Sequence, residues 1–314
     1  MHTFHIPVLL DASVSALNVV PERGRVYVDG TVGGGGHAAA IAARLGEGLL
    51  IGVDKDGAAL LEAERKIAAL APDFRLLRAD HTDICGLLRT ELQIDAVDGF
   101  LLDLGVSSHQ LDTPERGFSY RFDAALDMRM DDRQTLTAAE IVNTYKEKDL
   151  VYLFKSCGEE RFSGRIARAI VAHRALEPLT TTFQLVELIK KNVPFLPPSA
   201  GHPAMRVFQA LRIAVNGELT ALARTLEDMV RLLKPRGRIA VISFHSLEDR
   251  IVKQTFRRLA DPCECPRSLP YCVCGKEPLV LCHPKNGKGI RPTPLELTQN
   301  PRAHSATLRV AERL

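Results

Sequence analysis

The 314-residue chain has no tryptophan, and only 5% of its residues are aromatic. That scarcity argues against the aromatic platforms that bind sugars, and against stacking as the main way of holding a ligand. No apolar run reaches the roughly 18 residues of a membrane helix, so no membrane partner is expected. The first residues lack a basic stretch followed by an apolar core, which gives the expectation of a cytoplasmic chain without a secretory signal. The seven cysteines are an odd number, with five between Cys263 and Cys282, unlike a secreted disulfide framework. A net charge of +3 names no partner by itself.

What is present is an ordinary globular composition, 46% hydrophobic and 25% charged. A chain of about 300 residues can hide roughly 75% of its unfolded surface, so no staple is needed. Charge is unevenly spread. From Arg250 onward there are 12 Lys and Arg against 5 Asp and Glu, a net of +7, whereas the preceding 249 residues carry −4. A basic C-terminal region permits a polyanionic partner.

The pattern along the chain predicts α/β architecture. Short apolar runs at Arg25–Asp29, Leu49–Val53, Phe74–Leu77 and Ile94–Leu104 read as strands of a parallel sheet. Helical patterns at His37–Leu45 and Asp56–Leu70 separate them. After Gly105 the rhythm breaks. Residues 113–217 carry amphipathic helices at Glu159–His173, Thr182–Lys190 and Met205–Val215, with the breakers Pro194, Pro197 and Pro198 after the second. They predict a helical insert, leaving residues 1–112 and 218–314 as a discontinuous core. The α/β pattern then resumes with a helix over Leu219–Leu233, a turn at Lys234–Gly237 and a strand at Arg238–Ser243. Ser246, with Asp249 at N3, is the expected cap of the next helix. A last strand is expected over Ala306–Val310, at the sheet edge or completing it in antiparallel fashion.

One motif sits where the first strand hands over to a helix: Asp29-Gly30-Thr31-Val32-Gly33-Gly34-Gly35-Gly36-His37. Glycines there allow a tight turn and close approach of backbone to a ligand, and the N–H groups at the helix start face that ligand. Asp54, 21 residues beyond Gly33 at the end of the second strand, suits ribose hydroxyls. A dinucleotide is disfavoured, because Asp29 would face a pyrophosphate and no hydride-transfer set accompanies it. A phosphate-gripping ATPase loop is disfavoured too, since no Gly-Lys-Ser/Thr follows the glycines. The polarity suits S-adenosylmethionine, whose ammonium a carboxylate can hold. Asp103 ends the fourth strand, where such sheets bind ligands; the alternative is a loop-capping Asp. Asp80 could orient an adenine amine or be an ordinary loop residue, and His81 could pack on the base or lie exposed.

These stretches resemble one family closely, the bacterial small-subunit (16S) ribosomal RNA cytosine-N4 methyltransferases. The resemblance rests on His5–Leu10, Asp29–His37, Leu101–Asp112, Arg116–Ser119, Leu126–Asp131, Gly158–Phe162, Phe208–Ile213, Ile242–Arg250 and Asn300–Arg302. It implies a class I S-adenosylmethionine-dependent methyltransferase core with an inserted, mainly helical substrate-recognition domain. It also implies methyl transfer to N4 of a cytidine in the decoding region, with the RNA inside an assembling 30S particle. A homodimer is open. The implied cofactor contacts are Gly34, Gly35, Gly36, His37, Asp54, His81, Asp103 and Gln110. His81 departs from the family pattern, where that position can be an aromatic such as Phe. Met205 and Val207 stand where the family often has Thr, and His304 where it often has Arg.

The Asn/Asp-Pro-Pro-Tyr/Phe turn of many amino-methyltransferases is missing, and Asp103–Ser108 stands in its place. Asp103 is therefore the first catalytic candidate and His245 the second, with a packed strand-end histidine as the alternative for the latter. Basic residues that could hold RNA are Arg161, Arg165 and Arg168 on one helix flank, Arg206, and Lys285, Lys288, Arg291 and Arg302 in the tail. The alternative for the first three is a solvated helix side. Cys263, Cys265, Cys272, Cys274 and the Cys282-His283 pair could supply zinc ligands, or form a reduced loop or a redox-labile pair. Methyl transfer needs no metal, so none is assigned.

Overall fold

The computed structural model describes residues 7–70, 73–195, 197, 201–266, 269 and 271–314. His5 and Ile6 of the first motif, and the breaker Pro198, lie outside the described residues. The chain forms two compact units, one of residues up to Gly105 together with Ala221–Leu314, the other of Val106–Thr220.

The first unit is built on seven strands: β1 (Val26–Asp29), β2 (Leu49–Asp54), β3 (Phe74–Arg78), β4 (Val97–Asp103), β5 (Leu233–Ser243), β6 (Val280–His283) and β7 (Thr307–Arg313). Their order is β3-β2-β1-β4-β5-β7-β6. The first five run parallel, and β7 is antiparallel to both β5 and β6. The direction of winding reverses between β1 and β4, and ligands of such sheets bind at that crevice.

Helices cover both faces. One layer is α1 (Leu10–Leu17), α2 (Gly36–Leu45) and α3 (Gly57–Ile67). Ile41, Leu45 and Ile67 pack there with Leu50, Leu101 and Ile242 of the sheet. The other layer begins with α4 (Ile84–Thr90). The second unit, separately, is made of α5 (Ser108–Asp112), α6 (Ala138–Thr144), α7 (Glu147–Ser156), α8 (Ser163–Arg174), α9 (Thr182–Asn192) and α10 (Met205–Asn216). The chain then returns with α11 (Leu222–Leu232), α12 (Ser246–Ala260) and α13 (Pro294–Gln299). Helix α11 buries Leu222, Leu226, Met229 and Val230, spaced for one helical face, against the second side of the sheet. Each such side chain contributes about 1.5–3 kcal/mol when fully buried.

The inserted unit has a core of its own, including Leu150, Phe154, Ile166, Ile170, Leu185 and Leu211. Buried Asn216 ties its first loop to its last helix. Its Oδ1 accepts from Met130 N–H at 2.8 Å, and its Nδ2 donates to the Met128 carbonyl at 2.8 Å.

Several local expectations are corrected. The insert starts earlier and ends later than residues 113–217. The expected turn at Lys234–Gly237 is an irregularity within β5: Leu233 pairs with Val97 and Arg238 with Gly99, and Arg236 takes φ +66° to absorb the excess chain. Strand β6 was not expected, because four residues inside a Cys- and Pro-rich stretch give too short a pattern. Among the described residues no helix is long and apolar enough to cross a membrane.

Candidate active site

Three neighbouring parallel strands each end in an aspartate: Asp29 on β1, Asp54 on β2 and Asp103 on β4. The glycine motif is folded against them. Gly33 N–H donates to Asp54 Oδ2 at 2.8 Å, and Val32 N–H to the Val53 carbonyl at 2.9 Å. Gly35 stands at φ +78°, where a side chain would bring Cβ within 2.8 Å of Ala63 Cα; only glycine fits there. Helix α2 starts at the next residue with a glycine as its N-cap, and the Asp29 carboxylate accepts from the Ala38 N–H of its first turn. The Asp103 N–H donates to Thr31 Oγ1 at 2.6 Å, joining the motif to the end of β4.

The carboxylates are held in a poor environment for negative charge. Burial raises the Asp29 pKa to about 7, with the Thr31 N–H offsetting part of this and Asp54 adding to it. Burial likewise raises Asp54 to about 6, against the N–H groups of Asp56 and Gly33. Asp103 is pushed well above the carboxylate range by burial, and then by Asp29 and Glu248. Asp29 Oδ2 and Asp103 Oδ1 are both buried and lack a hydrogen-bond partner among the described residues. Lys55, on the loop after β2, is drawn to Asp80 Oδ2 at 3.0 Å. A ligand carrying positive charge would complete this cluster, and a pyrophosphate would be repelled by it.

His37, at the start of α2, is 5% exposed. Its Nε2 is 3.0 Å from the Val8 carbonyl and its Nδ1 is 3.6 Å from Asp103 Oδ2. His81 opens a short 3-10 turn, with Nδ1 3.1 Å from Asp80 Oδ1 and Nε2 buried without a partner among the described residues. Burial lowers its pKa, so the ring is neutral at pH 7 and suited to packing on an uncharged base. Gln110 belongs to the inserted unit, where it closes a capping box. Its Oε1 accepts from Ser107 N–H at 3.0 Å, and its own N–H donates to Ser107 Oγ at 3.2 Å. Gly34, Gly35, Gly36, His37, Asp54, His81 and Asp103 all belong to the first unit, Asp54 and Asp103 as the last residues of β2 and β4, the others in the segments that follow β1 and β3.

His245 is the N-cap of α12, in place of the expected Ser246. Its Nδ1 accepts from Glu248 N–H at 3.4 Å, and Glu248 Oε2 accepts from Phe244 N–H at 2.9 Å. The shift by one residue follows from side-chain reach. Glu248 spans back to the strand end, and the imidazole lone pair serves as the capping acceptor. Nε2 lies 3.2 Å from Glu248 Oε1 but is not aligned for a hydrogen bond.

Beside His245 lies an open groove of about 540 Å³, lined by Arg250, Lys253, Arg291 and His304 among others. Its one carboxylate, Asp249, is gripped by Arg309 in a fork at 2.7 and 3.0 Å. The groove is therefore basic. Arg291 was expected as an RNA contact, whereas Arg250 and Lys253 were missed. Their signal was the basic side of α12, next to a motif already singled out. Thr31 and Glu248 were also missed, since only the fold brings them to Asp103.

Lys285, Lys288, Arg291 and Arg302 are exposed on the tail of the first unit. The three-arginine flank is corrected. Helix α8 begins at Ser163, so Arg161 precedes it, its guanidinium 6.0 Å from the Phe162 ring centroid. Arg165 and Arg168 remain on the exposed side, Arg168 with Glu147 at 3.8 Å. Arg206 is exposed and donates to the Glu159 carbonyl at 2.7 Å.

The profile of the MraW methylase family matches residues 2–314. The chain belongs to that family. It is 51% identical over 312 residues to the ribosomal RNA small subunit methyltransferase H of Symbiobacterium thermophilum, covering 99% of this chain and 96% of that protein. It is 48% identical to the protein of the same name from Carboxydothermus hydrogenoformans, over 100% and 99% of the two chains. Against that of Syntrophotalea carbinolica the identity is 52%, over 94% and 93%. The seven-stranded sheet is accordingly the class I methyltransferase core of a MraW methylase, interrupted by the helical unit.

Proposed function

We propose that the chain transfers a methyl group from S-adenosylmethionine to the exocyclic N4 of a cytidine in the decoding region of small-subunit rRNA. The observation that carries this is the half-buried Asp103 carboxylate at the end of β4, its Oδ1 buried and without a hydrogen-bond partner among the described residues, close to Asp29. S-adenosylmethionine fits the cluster because it is doubly cationic at its sulfonium and ammonium and anionic at its carboxylate. Asp29 and Asp103 would hold the cations, the N–H groups of Gly34 and Gly36 the carboxylate, with Gly35, whose own N–H donates to the Val32 carbonyl at 2.8 Å, keeping the turn tight beside it, Asp54 the ribose, and His81 the base. Gln110 joins this set by its place in the family's motif. When bound, the cofactor supplies an electrophilic methyl on sulfur.

The chain's own task is placement. The N4 lone pair is delocalised into the cytosine ring, so the amine must be held in line with the carbon–sulfur bond. A C–N bond forms, the S–C bond breaks, and N4 gives up one proton. Asp103 Oδ1 is the acceptor suited to an N–H of that amine, and it opposes the positive charge that develops there. His245 orients the end of β5 by capping α12. The target base must leave its stack to reach such a crevice.

Arg250, Lys253, Arg291, Lys285, Lys288 and Arg302 would grip phosphates, with Arg161, Arg165, Arg168 and Arg206 on the inserted unit as a recognition surface. The rRNA is met in an assembling 30S particle, which goes with a cytoplasmic location. Sedimentation of the chain alone, with monomer and dimer masses resolved, tests the homodimer.

The deciding experiment offers labelled cofactor with either free rRNA or assembling small subunits, and maps the labelled nucleotide. Label on a cytidine N4 is expected. Label on another amine changes the substrate, and no transfer despite tight cofactor binding would make the chain an assembly module.

A further inference from the structure

The segment between α12 and β6 has little apolar support. Leu269, Tyr271 and Val273 are exposed at 42%, 74% and 64%. At its far end Leu279 N–H donates to the Leu259 carbonyl at 2.8 Å. Inside it, four sulfurs converge. Cys272 Sγ is 3.6 Å from Cys263 Sγ, 3.9 Å from Cys265 Sγ and 3.5 Å from Cys274 Sγ, and Cys274 is 4.0 Å from Cys263. All four atoms lie within 4.8 Å of one another.

These distances discriminate between the things four cysteines can do. A disulfide needs about 2.05 Å between sulfurs, and all four thiols are free. A polynuclear iron–sulfur cluster spreads its cysteines over several irons, with sulfurs much farther apart. One tetrahedral ion bound at about 2.3 Å to each thiolate has sulfur–sulfur edges of about 3.8 Å. The observed edges bracket that value.

We propose that Cys263, Cys265, Cys272 and Cys274 form a closed tetrahedral site for a single Zn²⁺ ion that orders this loop. The backbone supports it. Val273 N–H donates to Cys265 Sγ at 3.3 Å, and the amides of Lys276 and Glu264 donate to Cys274. Lys276 Nζ and Glu264 Oε2, 2.5 Å apart, clasp the two Cys-x-Cys pairs from outside. The site corrects the ligand set that the sequence left open. Cys282 Sγ faces the Phe256 carbonyl at 3.9 Å, and His283 Nε2 is 3.1 Å from Glu312 Oε2, so neither joins the cluster. Four protein ligands leave no position for substrate, which makes the ion structural and separate from methyl transfer. Binding converts thiols to thiolates and releases their protons to solvent.

The test uses the full chain, washed with chelator under reducing conditions and titrated with Co²⁺ alone. About one equivalent should bind per chain, with a sulfur-to-cobalt charge-transfer band and the visible bands of a tetrahedral ion, and Zn²⁺ should displace it. Cys272→Ser should weaken Co²⁺ binding and lower the charge-transfer intensity by roughly a quarter or more, while cofactor binding persists. Cys85→Ser and Cys157→Ser should leave the band intact. Fewer than ~0.2 equivalents bound, an octahedral spectrum, or a band of undiminished intensity and affinity in Cys272→Ser would overturn the site. So would a native mass showing two disulfides that Zn²⁺ does not prevent.

Discussion

His37 stands between the Val8 carbonyl, 3.0 Å from its Nε2, and Asp103 Oδ2, 3.6 Å from its Nδ1. A carbonyl only accepts, so Nε2 carries a hydrogen, and Nδ1 faces a carboxyl whose pKa is pushed well up. Asp103→Asn keeps the shape and removes the charge. Methyl transfer should fall about 10²-fold in kcat/KM, and cofactor affinity should fall with it. Rates and equilibrium dialysis should be measured separately; wild-type values in both would remove the carboxylate from the mechanism.

The raised aspartates set a pH dependence. Asp29 and Asp54 hold protons in the folded chain up to about 7 and about 6, whereas the unfolded chain releases them near the ordinary Asp value. The native state binds more protons in between, so their contribution to stability is full below ~3.9 and lost as pH rises through 6 and 7. The cofactor-free chain should be less stable at about pH 8 than at about pH 5, by on the order of a few kcal/mol for Asp29, with a correspondingly lower Tm. Asp29→Asn should flatten that slope, and a slope unchanged by the substitution would refute the assignment. Cofactor should raise Tm more at the higher pH.

His245→Ala and His245→Asn separate capping from chemistry. Alanine removes the acceptor for Glu248 N–H and should cost about 1–2 kcal/mol, while asparagine restores a cap. If His245 only orients the chain, the asparagine variant keeps both its Tm and most of its kcat. A variant that is stable yet inactive would point instead to the imidazole as a participant.

Gly35→Ala should be damaging for two independent reasons. Its left-handed backbone costs about 1–2 kcal/mol with a side chain, and the added carbon meets Ala63 backbone at 2.8 Å. A total loss of about 2–4 kcal/mol in denaturant unfolding is expected, with cofactor binding impaired. A variant as stable as the parent would mean that the loop relaxes freely.

The basic groove should show itself through salt. If Arg250, Lys253 and Arg291 neutralise phosphates, RNA affinity falls as salt rises, with a slope of about −0.7 per contact on a single strand. The Lys253→Ala, Arg291→Ala double variant should make the slope shallower by about one unit or more. Affinity that does not change between ~50 and ~300 mM salt would exclude phosphate gripping by this face.

How much of this was legible beforehand depended on length and on locality. The parallel strands and the glycine loop could be read because they are apolar runs of ordinary size joined by a local motif. Asp54 and Asp103 could be placed because a strand end is a local fact. Their coupling with Asp29, and the approach of Thr31 and Glu248, could not, because those contacts join residues far apart in sequence. Strand β6 was too short to show a period, and the Cys-x-Cys pairs left open which thiols meet. The cap of α12 was missed by one position because histidine seldom caps helices, although its lone pair can do so.

The inserted unit has a consequence for synthesis on the ribosome. Strand β4 ends at Asp103 and its parallel neighbour β5 begins at Leu233, about 130 residues later. At about 5–20 residues per second, the first four strands wait roughly 6–26 s for that neighbour. Throughout that interval Phe100, Leu101 and Leu102 belong to an open edge, while the insert, complete with its own core, can already have folded. The nascent chain is therefore most exposed to chaperones and to aggregation midway through translation, before α11 and β5 arrive to close the sheet.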